Sequence, residues 1–118
     1  MAGITQEQLE EKIFTIITMA GDAKSNFYEA FQLVRDGKEE EAQKRIQQGD
    51  DIMSRAHDAQ TDLITEETNG NPVPVGLFMV HAQDHLMNAI LVREMLDMLL
   101  SLQRSLQECC ENDELKFI

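Results

Sequence analysis

The stretch LEEKIFTIITMAGDAKSNFYEAFQLV, residues 9–34, decides the fold class. Its apolar and small positions, Leu9, Ile13, Ile16, Ala20, Ala23, Phe27, Ala30 and Val34, are separated by four and three residues in alternation. That spacing brings every one of these side chains onto a single stripe of an α-helix, the stripe a packed helix seam requires. Ahead of it, Thr5 and Gln8 stand at capping-box spacing, which lets a cap side chain and the third helical residue satisfy each other's backbone N–H groups. Behind it, Asp36-Gly37 supplies a stop, because Gly tolerates the left-handed conformation that ends a helix. A first helix over about residues 6–36 is predicted.

Working outward, a second stripe of the same spacing runs through Ala42, Ile46, Gly49, Met53, Ala56, Gln60 and Leu63, giving a helix over about 39–68. Gly49 costs this helix about 1 kcal/mol relative to Ala, and small residues on a seam imply close approach of a neighbour. Asn69-Gly70-Asn71-Pro72-Val73-Pro74 is the one clear loop signature, and a third helix is expected to restart at its prolines and run over about 73–110. Residues 111–118, acidic and then ending Lys116-Phe117-Ile118, read as a frayed tail. The third helix carries Leu77, His81, Asp84, Asn88, Leu91, Met95, Met98 and Leu102 on one seam and Phe78, His85, Val92, Leu99 and Leu106 on an adjoining one. An apolar arc so wide implies contact with its own two partners and with copies of itself.

Composition agrees. The 118 residues are 42% hydrophobic but only 5% aromatic, with no Trp, which suits a helical core in a single all-α domain spanning 1–118. Against 10 Lys and Arg stand 22 Asp and Glu, a formal net charge of −12, and such a surface repels nucleic acid and anionic membranes alike. The same sign would suit a basic protein partner. Cys109 and Cys110 are adjacent, so they supply neither an ordinary disulfide nor a separated pair of metal ligands, and a reducing compartment fits. A secretory leader and a membrane-spanning run of eighteen apolar residues are both missing from the pattern, so a cytoplasmic location and no direct membrane insertion are expected.

His81, Asp84 and Asn88 occupy seam positions where Leu or Met would ordinarily stand. A carboxylate at an interface costs several kcal/mol unless it meets a cation. Asp84 has no Lys or Arg within a turn, so it either pins helix register or joins symmetry copies around a metal ion. The three His, at 57, 81 and 85, leave metal ligation, acid–base work, phosphoryl acceptance and simple hydrogen bonding open. His81 and His85 are four apart and can chelate, but Ala82 stands where the zinc-protease helix has Glu, and a third soft ligand is missing.

The run Phe78-Met79-Val80-His81-Ala82-Gln83-Asp84-His85-Leu86-Met87 resembles the signature of the lactose/cellobiose family of enzyme IIA components of the bacterial sugar phosphotransferase system. Ala20-Gly21-Asp22-Ala23-Lys24-Ser25 and Ala56-His57-Asp58-Ala59-Gln60-Thr61-Asp62-Leu63-Ile64 agree with the same family, and the resemblance covers roughly residues 7–106. It implies a homotrimer of three-helix up-down protomers, a nine-helix bundle. It implies that His81 accepts a phosphoryl group from the phosphocarrier HPr and passes it to a Cys of the sugar-specific IIB component. It further implies that Asp84, with its two symmetry copies, holds a magnesium ion (Mg2+) on the threefold axis, and that His57, Gln83 and His85 surround the phosphoryl group. Asn88 departs from the Thr or Ser common there, and the Cys109-Cys110 tail is peculiar to this chain. The alternatives are a histidine phosphotransfer signalling domain, which normally offers Lys or Arg beside its His, and a trimeric helical scaffold without chemistry.

Overall fold

The computed structural model describes residues 3–116, and side chains up to residue 111. Three helices, α1 (Gln6–Arg35), α2 (Glu39–Thr68) and α3 (Leu77–Lys116), account for nearly all of it, with no strand among the described residues. The Thr5/Gln8 capping box forms as the spacing predicts, Gln8 N donating to Thr5 Oγ1 at 3.1 Å and Thr5 N to Gln8 Oε1 at 3.0 Å. Both α1 and α2 end on glycines in the left-handed region, Gly37 (φ 78°) and Gly70 (φ 86°). In each, the next residue reaches back five positions, Lys38 N to Leu33 O at 2.8 Å and Asn71 N to Glu66 O at 2.9 Å, so the last carbonyls are satisfied where the chain turns.

The two ends of α3 differ from expectation. Pro72 and Pro74 do not open the helix; they lie in an extended connection, because a residue preceding proline is driven out of the helical region. Gly76 O accepts the first helical bond, from Val80 N. The connection is pinned by Val73, whose side chain is buried and whose N donates to Glu67 Oε1 at 2.7 Å. At the far end the helix runs on through Lys116 instead of fraying at 111, since Glu, Asn, Asp, Leu and Lys contain no Gly or Pro to stop it; residues 117–118 of the expected tail lie outside the described residues.

The expected α1 seam is buried along its full length, Leu9 through Val34. It faces both other helices, whereas α2 and α3 touch one another little. One half of the core joins Leu9, Ile13, Ile16 and Ala20 to Ala56, Leu63, Val73, Met79 and Leu86. The other gathers Phe27, Val34, Ile46, Leu96 and Leu100. Where α2 and α3 do meet, ion pairs span the gap. Arg93 Nε lies 2.7 Å from Asp50 Oδ1 with its guanidinium over the Phe27 ring, and the hydrogen bond to Asp50 raises the Arg93 pKa further. Arg104 grips Glu39 through two bonds of 3.0 and 2.9 Å, which lower the carboxyl pKa of Glu39. A lowered folded-state pKa stabilises at neutral pH and is lost on acidification, and solvent keeps that contribution small here.

The face α3 turns to its own protomer is neither of the two seams picked out from sequence. Met79, Ala82, Leu86, Ala89, Leu96 and Leu100 are the buried ones. Most of the expected seam positions look outward, Leu77 being 82% exposed, with Leu91, Met98, Leu102 and Leu106 also exposed, while His85 and Val92 of the second seam are half-buried, Val92 against the core. Ala82 and Ala89 hide among bulkier residues on the inner stripe, and so the apolar pattern alone favoured the outer one.

The small residue at 49 has the structural consequence its position implied. A Cβ there would stand 2.5 Å from Cε1 of Phe27, a ring with no exposed surface. Overpacking of this kind costs about 1–3 kcal/mol against a helix-propensity gain of about 1 kcal/mol. Gly49→Ala is therefore expected to lower the unfolding free energy, by up to about 2 kcal/mol, in urea denaturation, where an ordinary exposed helical Gly→Ala change would raise it.

Candidate functional site

Four residues into α3, His81 projects from the outer face, exposed. One turn on, His85 is half-buried, and the helical repeat of 3.6 residues stacks the two rings. Their Nε2 atoms are 3.0 Å apart, with ring centroids at 4.5 Å and planes at 83°. Such a contact requires one nitrogen to donate and the other to accept. His85 Nδ1 is buried without a hydrogen-bond partner among the described residues. A buried N–H left unpaired costs more than a buried lone pair. The lower-energy assignment therefore puts the His85 proton on Nε2, donating to His81 Nε2, and the His81 proton on Nδ1.

The remaining sequence-predicted residues scatter around this pair. Gln83 lies about 200° round the helix from His81 by the α-helical repeat. Its amide donates to Met79 Sδ at 3.4 Å rather than towards the imidazoles. His57 is exposed on α2, its carbonyl accepting from Thr61 Oγ1. Gln60, one turn further along α2, lines a groove of about 290 Å³ together with Leu63, Ile64, Glu67, Val73, Val75, Met79, Val80 and Gln83. This groove, between the end of α2 and the start of α3, is largely apolar and begins one residue from His81. It escaped the sequence reading, although exposed Val75 and Val80 beside a seam histidine were a signal for it.

Asp84 is exposed and has no ion-pair or hydrogen-bond partner among the described residues. No group of three His, Cys, Asp or Glu capable of holding a metal ion occurs among the described residues of one protomer. An unpaired carboxylate on an outward helix face nevertheless fits a hard cation such as Mg2+ as one oxygen ligand, provided further chains bring theirs.

The three-helix all-α chain thus carries a histidine pair and a wide stripe of exposed apolar side chains on its longest helix. A family model described as the lactose/cellobiose-specific IIA subunit of the phosphotransferase system (PTS) matches residues 11–104. The chain belongs to that family of phosphotransferase enzyme IIA components. It is 40% identical over 102 residues to the lichenan-specific phosphotransferase enzyme IIA component of Bacillus subtilis, covering 86% of this chain and 93% of the relative. The crystal structure of the PTS cellobiose-specific enzyme IIA from Bacillus anthracis superposes with a TM-score of 0.81 at 34% identity, over 89% of this chain and 94% of that one. The IIA(Chitobiose) chain in its solution complex with HPr from Escherichia coli gives 0.71 at 33% identity, over 84% and 96%. No helix among the described residues is long and apolar enough to cross a membrane.

The proton assignment is open to direct measurement. Long-range 15N–1H correlation spectra at a pH where both rings are neutral should show His81 as the Nδ1–H tautomer and His85 as Nε2–H. His85→Ala should let His81 populate both tautomers, and the opposite pairing in the intact protein contradicts the assignment.

Proposed function

We propose that this chain is a cytoplasmic phosphocarrier that accepts a phosphoryl group from phospho-HPr on His81 and passes it to the Cys of its cognate IIB component during uptake of a lactose/cellobiose-type disaccharide. The observation that carries the reading is an exposed His81 whose ring is oriented by a neighbouring imidazole at 3.0 Å. Family membership and the HPr complex of the chitobiose relative support HPr as the partner.

In this mechanism the lone pair on Nε2 of neutral His81 attacks phosphorus in line as the bond between phosphorus and the HPr imidazole breaks, and the bonding pair returns to the HPr ring. The His81 proton on Nδ1 stays in place, so the attack needs no base. The Nε2–H of His85, released from His81, is placed to donate to a phosphoryl oxygen. Transfer to IIB reverses the geometry: a thiolate attacks phosphorus, the P–N bond breaks and His81 recovers its lone pair. Such a relay is mostly alignment, and an acceptor on an open face lets both partners reach it and leave. The apolar groove next to Val80 offers each partner a foothold, and the charge of −12 draws basic rims towards it.

The outer stripe of α3 is assigned to a homotrimer in which three copies of this helix pack about an axis. Asp84 from each chain would hold Mg2+ there, and the ion supplies charge neutralisation for three converging carboxylates.

Incubation with phosphoenolpyruvate, enzyme I and HPr is expected to give an acid-labile phosphate that disappears in His81→Ala; no label on the intact protein overturns the proposal. Sedimentation is expected to show a trimer, with Asp84→Leu remaining trimeric in chelator and gaining stability, because apolar packing replaces repelling carboxylates. A wild type that sediments as a monomer in all conditions removes the axial assembly.

A further inference from the structure

The convergence of two imidazole nitrogens on an open helix face has a second chemical use. We propose that His81 and His85 together form an exchangeable bidentate site for a borderline transition-metal cation of the Zn2+ or Co2+ class, and that this metal and the phosphoryl group exclude each other on His81. The exclusion half rests on His81 being the phosphoryl acceptor; the metal site does not.

The argument begins with distance. Two nitrogens that ligate one tetrahedral Zn2+ at about 2.0–2.1 Å lie about 3.3 Å from each other. The two Nε2 atoms are 3.0 Å apart already, on a rigid helix at i and i+4, so a widening of about 0.3 Å, a small turn of each ring and transfer of the His85 proton from Nε2 to Nδ1 admit the ion; the N–H this leaves on the buried, unpartnered Nδ1 is a cost that weakens the site. His81 is exposed and His85 half-buried, which leaves an entry path and room for water in the other coordination positions. Neutral imidazole suits Zn2+, Cu2+ and Ni2+ and is a poor ligand for Mg2+, so this pair and the carboxylate of Asp84 select different ions although only one turn separates them. No third protein ligand joins the pair, as no cluster of three occurs among the described residues. The site is therefore weak and reversible compared with a four-ligand structural zinc, a distinction that spacing alone did not draw. The consequence follows from electron counting: a Nε2 lone pair donated to a metal is not available to attack phosphorus, and a phosphorylated Nε2 has no lone pair to give a metal.

Cys109 and Cys110 are exposed soft donors that would confuse the measurement, so the full chain with both changed to Ser is titrated with Zn2+ and with Co2+. One ion per chain is expected, with paramagnetic shifts from Co2+ on the ring protons of both His81 and His85. His81→Asn and His85→Asn should each weaken binding by about tenfold or more, and His57→Asn should not. Excess Mg2+ should not displace the ion. In a single transfer step from purified phospho-HPr, saturating Zn2+ should block phosphorylation and a chelator restore it, while fully phosphorylated chain should show no Co2+ shifts at His85. Binding that survives both Asn variants, or shifts confined to other residues, overturns the site. Phosphorylation at an undiminished rate with the metal bound overturns the exclusion. A chain that takes no phosphate at all defeats the carrier reading and leaves the Co2+ titration to decide the metal site by itself.

Discussion

Everything about the site depends on which helix sits in the middle. α1 buries its whole seam against both neighbours, while α2 and α3 are joined chiefly by the Arg93–Asp50 and Arg104–Glu39 ion pairs. A closed three-helix bundle would spend the apolar circumference of every helix on the other two. With α1 interposed, α3 needs only a narrow inner stripe of Met79, Ala82, Leu86, Ala89, Leu96 and Leu100 for its own protomer. Much of its remaining surface is exposed, and His81 stands on it with His85 half-buried beside it. The tight contact of Gly49 with the Phe27 ring contributes to the arrangement, since the absence of a side chain at 49 lets the α2 backbone close directly on that ring of α1.

Much of this was legible before any coordinates. The first two helices, their cap and their glycine stops follow from local chemistry that acts within a few residues, and so sequence spacing reads them well. The third helix was harder for two separate reasons. Its start was misplaced because proline suits both a first helical turn and an extended connection, and here Val73 burying its side chain decides between them. Its inner face was misread because a seam built partly on Ala looks weak beside one of Leu and Met, and hydrophobicity does not say whether a stripe meets its own chain or another.

The candidate site divides in the same way. His81 and His85 at four residues' separation were bound to approach once a helix was granted, but their 3.0 Å contact and the buried, unpartnered His85 Nδ1 are tertiary facts. Gln83, adjacent in sequence and grouped with them by family resemblance, turns instead to Met79 and the groove. Asp84 drew attention as a carboxylate on a seam, but its side chain is exposed and bears no burial cost in this chain, a fact of exposure that spacing does not contain.

The length of α3 has a practical side. Gln107 Nε2 reaches Val34 O at 3.3 Å, marking the level where α1 ends, and the helix continues past it to Lys116. Cys109 and Cys110 stand on this overhang, both exposed. Twenty-eight residues of continuous helix separate Cys109 from His81, about 42 Å at the α-helical rise. The molecule thus carries its own attachment point for a dye, a spin probe or a solid support far from His81, where tethering leaves the start of α3 uncovered.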